Sequence, residues 1–136
     1  MSTPSSGPYR ISQPNDNLLT MQDNLVGSPI SILTPTGNPE EQDWHLQNEG
    51  GSITLKNLKH NLYAGVEENN EPGAPVVGVA APFKWKLKAA EPSKFLLYVD
   101  GADEPLYLDY SLLKAFPPRT ALSPQPGTPW TLQRVE

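Results

Sequence analysis

The side chains most able to do chemistry in this chain are few. There are two histidines, His45 and His60, and no cysteine. A general base needs a nucleophile and an orienting partner within reach. His45 lies between Trp44 and Leu46, where strand alternation turns it outward, and His60 sits in the polar turn Asn57-Leu58-Lys59-His60-Asn61. Without cysteine there is no disulfide and no thiolate site, and two histidines alone do not make a dedicated zinc site. The acidic pairs Glu40-Glu41, Glu67-Glu68 and Asp103-Glu104 invite comparison with a glycosidase dyad. Adjacent residues on a strand face opposite ways, however, and carboxylates in turns stay hydrated. Phosphate-binding glycine loops and nucleophile elbows are missing. The expectation is therefore a protein that is not an enzyme, with no catalytic residue, no cofactor and no metal.

The elements that position these residues are legible from a repeat. The three tryptophans open the triplets Trp44-His45-Leu46, Trp85-Lys86-Leu87 and Trp130-Thr131-Leu132, 41 and 45 residues apart. Tyr9-Arg10-Ile11, Ile53-Thr54-Leu55 and Leu97-Tyr98-Val99 recur at a spacing of 44, and so do Asn17-Leu18-Leu19, Asn61-Leu62-Tyr63 and Pro105-Leu106-Tyr107. A fixed period of this length identifies the unit of a repetitive fold. Each short run alternates inward and outward positions, and Pro, Gly, Asn and Asp clusters such as Gln13-Pro14-Asn15-Asp16 separate the runs. Twelve strands result, near 8–13, 17–21, 29–34, 42–47, 51–57, 61–66, 75–79, 83–89, 94–100, 105–109, 119–123 and 129–135. One four-strand unit cannot bury its apolar face, but three about a pseudo-threefold axis can, and closing the sheet removes its edges. The fold expected is all-β, a β-trefoil. Its repeats would run about 8–49, 50–90 and 91–136 in a single domain, after a flexible tail over residues 1–7.

Charge and composition narrow the partners. A net charge of -5 provides no basic stripe for nucleic acid. Lys84-Trp85-Lys86-Leu87-Lys88 reads as the solvated face of one strand. No segment resembles a signal peptide or is long and apolar enough to span a membrane, so a cytoplasmic monomer is expected. The 16 prolines fall between strands or at a strand's first residue, and those between strands stiffen loops.

Three core segments carry a resemblance: Gly7-Pro8-Tyr9-Arg10-Ile11, Gln42-Asp43-Trp44 and Trp130-Thr131-Leu132-Gln133-Arg134-Val135. Over residues 7–136 the chain resembles small fungal β-trefoil proteins of two groups, the serine-protease inhibitors (the cospin and cnispin type) and the ricin-B-like lectins. The first resemblance implies a defence protein that blocks a protease through a stiff, preorganised loop. Judged one by one, the loop Gln22 to Ser28 has no Lys or Arg but offers Leu25 to a chymotrypsin-like pocket and Asn24 to an asparagine-specific protease. Ser123 to Pro129 offers no anchor. Asp109 to Pro118 offers Lys114 to an acidic pocket with Leu113 and Ala115 flanking the bond, unless Leu112 and Phe116 fold back to cap the barrel and leave Lys114 merely solvated.

The second resemblance implies sugar binding, which needs an aromatic ring under the pyranose with Asp and Asn or Gln on its hydroxyls. In the first repeat Asp23 and Gln42 are present, but Leu25 and Val26 stand where a ring is wanted, and Gln42 is replaced by Phe83 and Thr128 in the other repeats. The third repeat gathers Asp100, Asp103, Tyr107, Tyr110 and Phe116, enough for one saccharide site. Protease inhibition is the leading expectation and glycan binding the alternative.

Overall fold

The computed structural model describes residues 4–135. Its strands are β1 (Gly7–Gln13), β2 (Asn17–Met21), β3 (Ile30–Leu33), β4 (Asp43–Asn48), β5 (Ile53–Asn57), β6 (Tyr63–Gly65), β7 (Val77–Val79), β8 (Lys86–Glu91), β9 (Lys94–Asp100), β10 (Pro105–Tyr110), β11 (Thr120–Ser123) and β12 (Trp130–Arg134). All strand pairings are antiparallel. Six strands close a barrel: β1 pairs with β12 and β4, β4 with β5, β8 with β9, and β9 with β12. The last seam, between β5 and β8, is held at Ile53 and Trp85, whose N–H groups each donate to the other's carbonyl at 2.8 Å. The other six strands form the hairpins β2–β3, β6–β7 and β10–β11. Single bridges link these hairpins in a ring, at Pro29 and Val77, Pro75 and Ala121, and Arg119 and Ser31.

The β-trefoil expectation rests on the tryptophans, and they are threefold related. All three are buried. Their indole N–H groups donate to Leu19 O (3.0 Å), Ala64 O (3.0 Å) and Leu108 O (3.1 Å), one carbonyl in each repeat's second strand. Each indole thereby fills the core and satisfies its polar end, as a buried Trp requires. Around them lie Ile11, Leu46, Leu55, Leu97, Leu132 and their neighbours in one apolar cluster.

The expected strands recur, with short corrections at proline. β3 begins at Ile30 and β7 at Val77, because Pro29 and Pro75 cannot donate into a ladder. A single 3-10 turn, Pro39–Glu41, precedes β4. At the N-terminus, the segment expected to be loose is tied down from Pro4 onward: Asn48 Nδ2–H donates to Pro4 O (2.8 Å), Tyr9 O–H to Ser5 O (2.8 Å) and Asn48 N–H to Ser6 Oγ (2.9 Å). Gly7 opens β1, and residues 1–3 of that expected tail lie outside the described residues.

Candidate functional site

The repeats diverge at one internal position. Thr20, Gly65 and Asp109 each follow directly the residue whose carbonyl takes the tryptophan indole. In the first repeat Thr20 Oγ1 accepts from Gln42 Nε2 (3.1 Å), and Gln42 also bonds Thr34 O (3.0 Å) and the Thr36 N–H (3.2 Å). Gln42 is buried and structural. In the second repeat Phe83 fills the place of Gln42 and packs edge-on against Trp85 at 5.2 Å. Gly65 leaves room for it, since a Cβ there would stand 2.8 Å from Phe83 Cβ. In the third repeat Gly127 meets the Asp109 carboxylate, so closely that a Cβ at 127 would collide with Oδ2. A small residue here accommodates an acid.

Asp109 is half-buried at the end of β10, and burial raises its pKa above the ordinary 3.8, partly countered by the Tyr110 N–H that donates to Oδ1 at 2.8 Å. Burial, then the adjacent Asp109 charge, raise the Tyr110 phenol above 10.0, so at neutral pH it keeps its proton and can donate. Both residues line a cleft of about 640 Å³ between the β10–β11 loop and the β6–β7 loop. Ser111, Arg119 and Ser123 supply further polar groups, and Leu113, Pro72 and Pro75 supply apolar walls. A half-desolvated acceptor, a phenol donor and two hydroxyls beside apolar walls can hold a polyol with one apolar face.

The sequence-derived candidates are placed as follows. Tyr110 and Leu113 line the cleft. Lys114, Ala115 and Phe116 extend from it along an exposed loop. Asp100 and Asp103 sit toward the other end of the β9–β10 hairpin, with Asp100 and Tyr110 separated by the length of β10, roughly 17 Å at strand rise, while Tyr107 stands mid-strand opposite Ser123. Asp100 is ion-paired with Lys86 Nζ at 2.6 Å, and Tyr107 packs on Tyr98 with ring centres 5.9 Å apart. Of the five residues anticipated for one saccharide site, Asp100 and Asp103 are therefore set apart from Tyr110. Asn24 and Leu25 lie on the exposed β2–β3 loop, which is shaped by Asp23: its carboxylate accepts the Leu25 N–H at 3.0 Å, and hydrogen bonds from Ser28 and Leu25 lower its pKa.

The alternative in which Leu112 and Phe116 fold back over the barrel is not what is found. Leu112 is 99% exposed, Phe116 91%, Leu113 67% and Leu25 66%. The loop is pinned across its neck, where Ser111 N–H donates to Arg119 O at 2.7 Å, so its tip is held away from the core.

Asp109, Arg119 and Ser123 lie outside the sequence-derived candidates. A signal for Asp109 exists: aligning the second strands on the tryptophan acceptors sets an acid opposite Thr20 and Gly65. The histidines keep structural company, His60 Nε2 with Glu41 Oε2 at 3.2 Å and His45 Nε2 with Gln47 Oε1 at 3.0 Å. Among the described residues no group of three or more His, Cys, Asp or Glu could hold a metal ion, and no helix is long and apolar enough to cross a membrane.

No family model matches the chain, and no curated protein matches it by sequence. Solved structures do match. The ricin B-like lectin of Macrolepiota procera, solved in complex with lactose, superposes with a TM-score of 0.74 at 20% identity, over 99% of this chain and 100% of that one. The Rhizoctonia solani agglutinin gives 0.80 at 21% identity over 99% of each chain. The designed threefold symmetric protein ThreeFoil gives 0.81 at 16% identity, over 94% of this chain and 99% of that one. Two of these three are a lectin and an agglutinin by name, and none of the three is named as a protease inhibitor. The chain has the β-trefoil fold of these proteins along nearly its whole length.

Proposed function

We propose that the chain is a non-catalytic, carbohydrate-binding β-trefoil with a single saccharide site at the Asp109 end of the third-repeat cleft. One observation carries this: Asp109 occupies a position that the other repeats give to Thr20 and Gly65, and its carboxylate is half-buried at the wall of an open cleft. A carboxylate desolvated in this way gains most from hydroxyl donors brought by a ligand. Tyr110, Ser111 and Ser123 would complete the hydrogen bonding, and Leu113 would meet the apolar face of the sugar. The lactose-bound lectin of the same fold supports the reading. Because the equivalent acid is absent from the first two repeats, one site is expected rather than three. A glycan array followed by lactose titration calorimetry tests it. Binding that Asp109→Asn weakens by roughly tenfold or more, with circular dichroism unchanged, is expected. Absence of binding to every glycan would refute it.

A second reading has its own observation, the exposed tip Leu112 to Phe116. On that reading Lys114, flanked by Leu113 and Ala115 on an exposed loop, would be the anchor for the acidic specificity pocket of a trypsin-like protease. Trypsin inhibition lost in Lys114→Ala would establish that reading; unchanged trypsin activity with excess wild-type protein would end it.

A further inference from the structure

A second opening lies away from Asp109. It is a polar cleft of about 440 Å³ between the β1–β2 turn, the β8–β9 turn and the segment that enters β12. Among the residues lining it is Gln13, only 7% exposed, whose Nε2–H donates to Thr128 O at 2.9 Å. Its counterpart 44 residues on is Asn57, whose Nδ2–H donates to Glu41 O at 2.9 Å in the same way. The two amides differ at the other end. Asn57 Oδ1 accepts the backbone N–H groups of Lys59 (3.1 Å) and His60 (3.0 Å). Gln13 Oε1 has no donor among the described residues, because the β1–β2 turn closes through Asn17 Nδ2–H to Pro14 O at 2.8 Å instead. Among those residues no sealed side-chain oxygen or nitrogen lacks a partner, so Oε1 opens on the cleft. A carbonyl oxygen on so buried a side chain is an acceptor fixed in place and left for a ligand.

The second repeat shows which chemistry suits this place. There the turn residue Lys59 brings its Nζ to 3.8 Å from the Glu41 carboxylate, on the segment that enters β4, and a cation and an acid close the gap. In the first repeat Asn15 and Asp16 replace Lys59 and His60, and the segment entering β12 brings the uncharged Thr128. Asp16 has no ion-pair partner among the described residues. Lys94, the cation that lines the cleft, is turned to Glu91 at 3.9 Å. One carboxylate is thus uncompensated, close to an unengaged amide oxygen and to the hydroxyls of Ser12 and Thr131, which stand opposite each other on β1 and β12. We propose that this cleft binds a primary alkylammonium group, carried by a free diamine or by a lysine side chain. Its three N–H donors go to the Asp16 carboxylate, Gln13 Oε1 and a threonine hydroxyl, and its methylene chain lies against Pro14 and Pro129. A neutral polyol brings no charge to Asp16, and an anion is repelled by it. The two clefts share no residue, so amine binding and saccharide binding can each fail without the other.

Amide correlation spectra of isotopically labelled protein, titrated at low salt, test this with putrescine and with Nα-acetyl-lysine amide, and butanediol serves as the uncharged control. Wild type is compared with Asp16→Asn and Lys94→Met. Asparagine tolerates the left-handed backbone found at Asp16 (φ 55°), so that variant keeps its turn. Saturable shifts are expected at the Gln13 side-chain amide and at the backbone amides of Asp16 and Thr131, with a dissociation constant of roughly 1 mM, while Asp109 and Tyr110 stay still. Asp16→Asn should weaken binding by roughly fivefold or more, and added salt should weaken it in wild type. Lys94→Met removes the competing cation and should tighten binding by roughly twofold or more. A response to putrescine alone identifies a free diamine as the ligand, and a response to the lysine amide identifies a side chain. No saturable shift at Gln13 with either amine would overturn the proposal. So would a response to butanediol equal to that of putrescine, or binding that Asp16→Asn leaves unchanged.

Discussion

Replacing Asp109 by asparagine should make the protein more stable and a poorer binder. Burial holds the Asp109 pKa above 3.8, so between that value and the raised one the folded protein binds the proton more tightly than the unfolded chain does. Stability therefore falls as pH rises through this window, and above it the ionised carboxylate is a constant cost. Asparagine is nearly isosteric, bears no charge at any pH, and keeps an oxygen to accept the Tyr110 N–H now made at 2.8 Å. Only the cost of desolvating the charge is removed. The side chain is half-exposed, so solvent screens much of that cost, and about 0.5–1 kcal/mol at pH 7 is the expected gain. For a 136-residue domain this is a rise in Tm of roughly 1–4 °C. The difference should close as pH is lowered to 4 and below, where wild type becomes neutral as well. Paired thermal melts at pH 7 and pH 3.5, with saccharide titration at pH 7, make the measurement. A stabilised variant with weakened binding is the signature of a group held at a thermodynamic disadvantage for function. An Asp109→Asn protein that melts lower at pH 7, or that binds saccharide as wild type does, would refute the reasoning.

Two substitutions test the other solutions of the same slot, and a third tests the loop. Gln42→Ala removes the bonds to Thr20, Thr34 and Thr36 and leaves buried groups without partners, so a loss of about 2–4 kcal/mol should appear as a lower urea midpoint at unchanged m-value. Gly65→Ala brings a Cβ to 2.8 Å from Phe83 Cβ and Val79 Cγ2, and overpacking of that kind should cost about 1–3 kcal/mol by the same titration. Lys114→Ala, on an exposed tip, should change stability by less than about 0.5 kcal/mol in the same assay, so any loss of protease inhibition would belong to the contact itself.

The fold was legible because its information is local and repeated. Period-2 alternation marks each strand, proline and glycine mark each turn, and the Trp44, Trp85 and Trp130 spacing marks the threefold arrangement. The small misses have local causes too: a strand drawn from residue 75 contracts to Val77–Val79 because Pro75 has no N–H to give. The β8 strand, drawn from 83, begins at Lys86, since the seam before it is a single bridge at Trp85 rather than a ladder. The site was less legible because its determinants are distant. The burial of Asp109 depends on Gly127, which approaches from the next loop. The exposure of Leu112 and Phe116 depends on the path of a nine-residue connection between Tyr110 and Thr120, and composition alone equally allows that path to fold inward. Asp100 and Asp103 are near Tyr110 in sequence, but an extended strand carries them away from it.

What distinguishes the third repeat is therefore an internal substitution with an external consequence. A threefold core imposes the same slot three times, behind the carbonyl that each tryptophan indole engages. Thr20 with Gln42 closes that slot by a buried hydrogen bond, and Gly65 with Phe83 closes it by an aromatic ring. Both closures are inert and neither leaves a charge to solvate. Asp109 with Gly127 leaves a carboxylate facing a cleft. Core packing gives no reason for that exchange, since it replaces a neutral closure with a desolvated charge. Beside it lies the connection whose apolar residues are most exposed, where core packing again gives no reason for Leu112 and Phe116. These two departures from what folding requires lie on adjoining segments of one repeat, and for that reason the proposed site is put there rather than in the first two repeats.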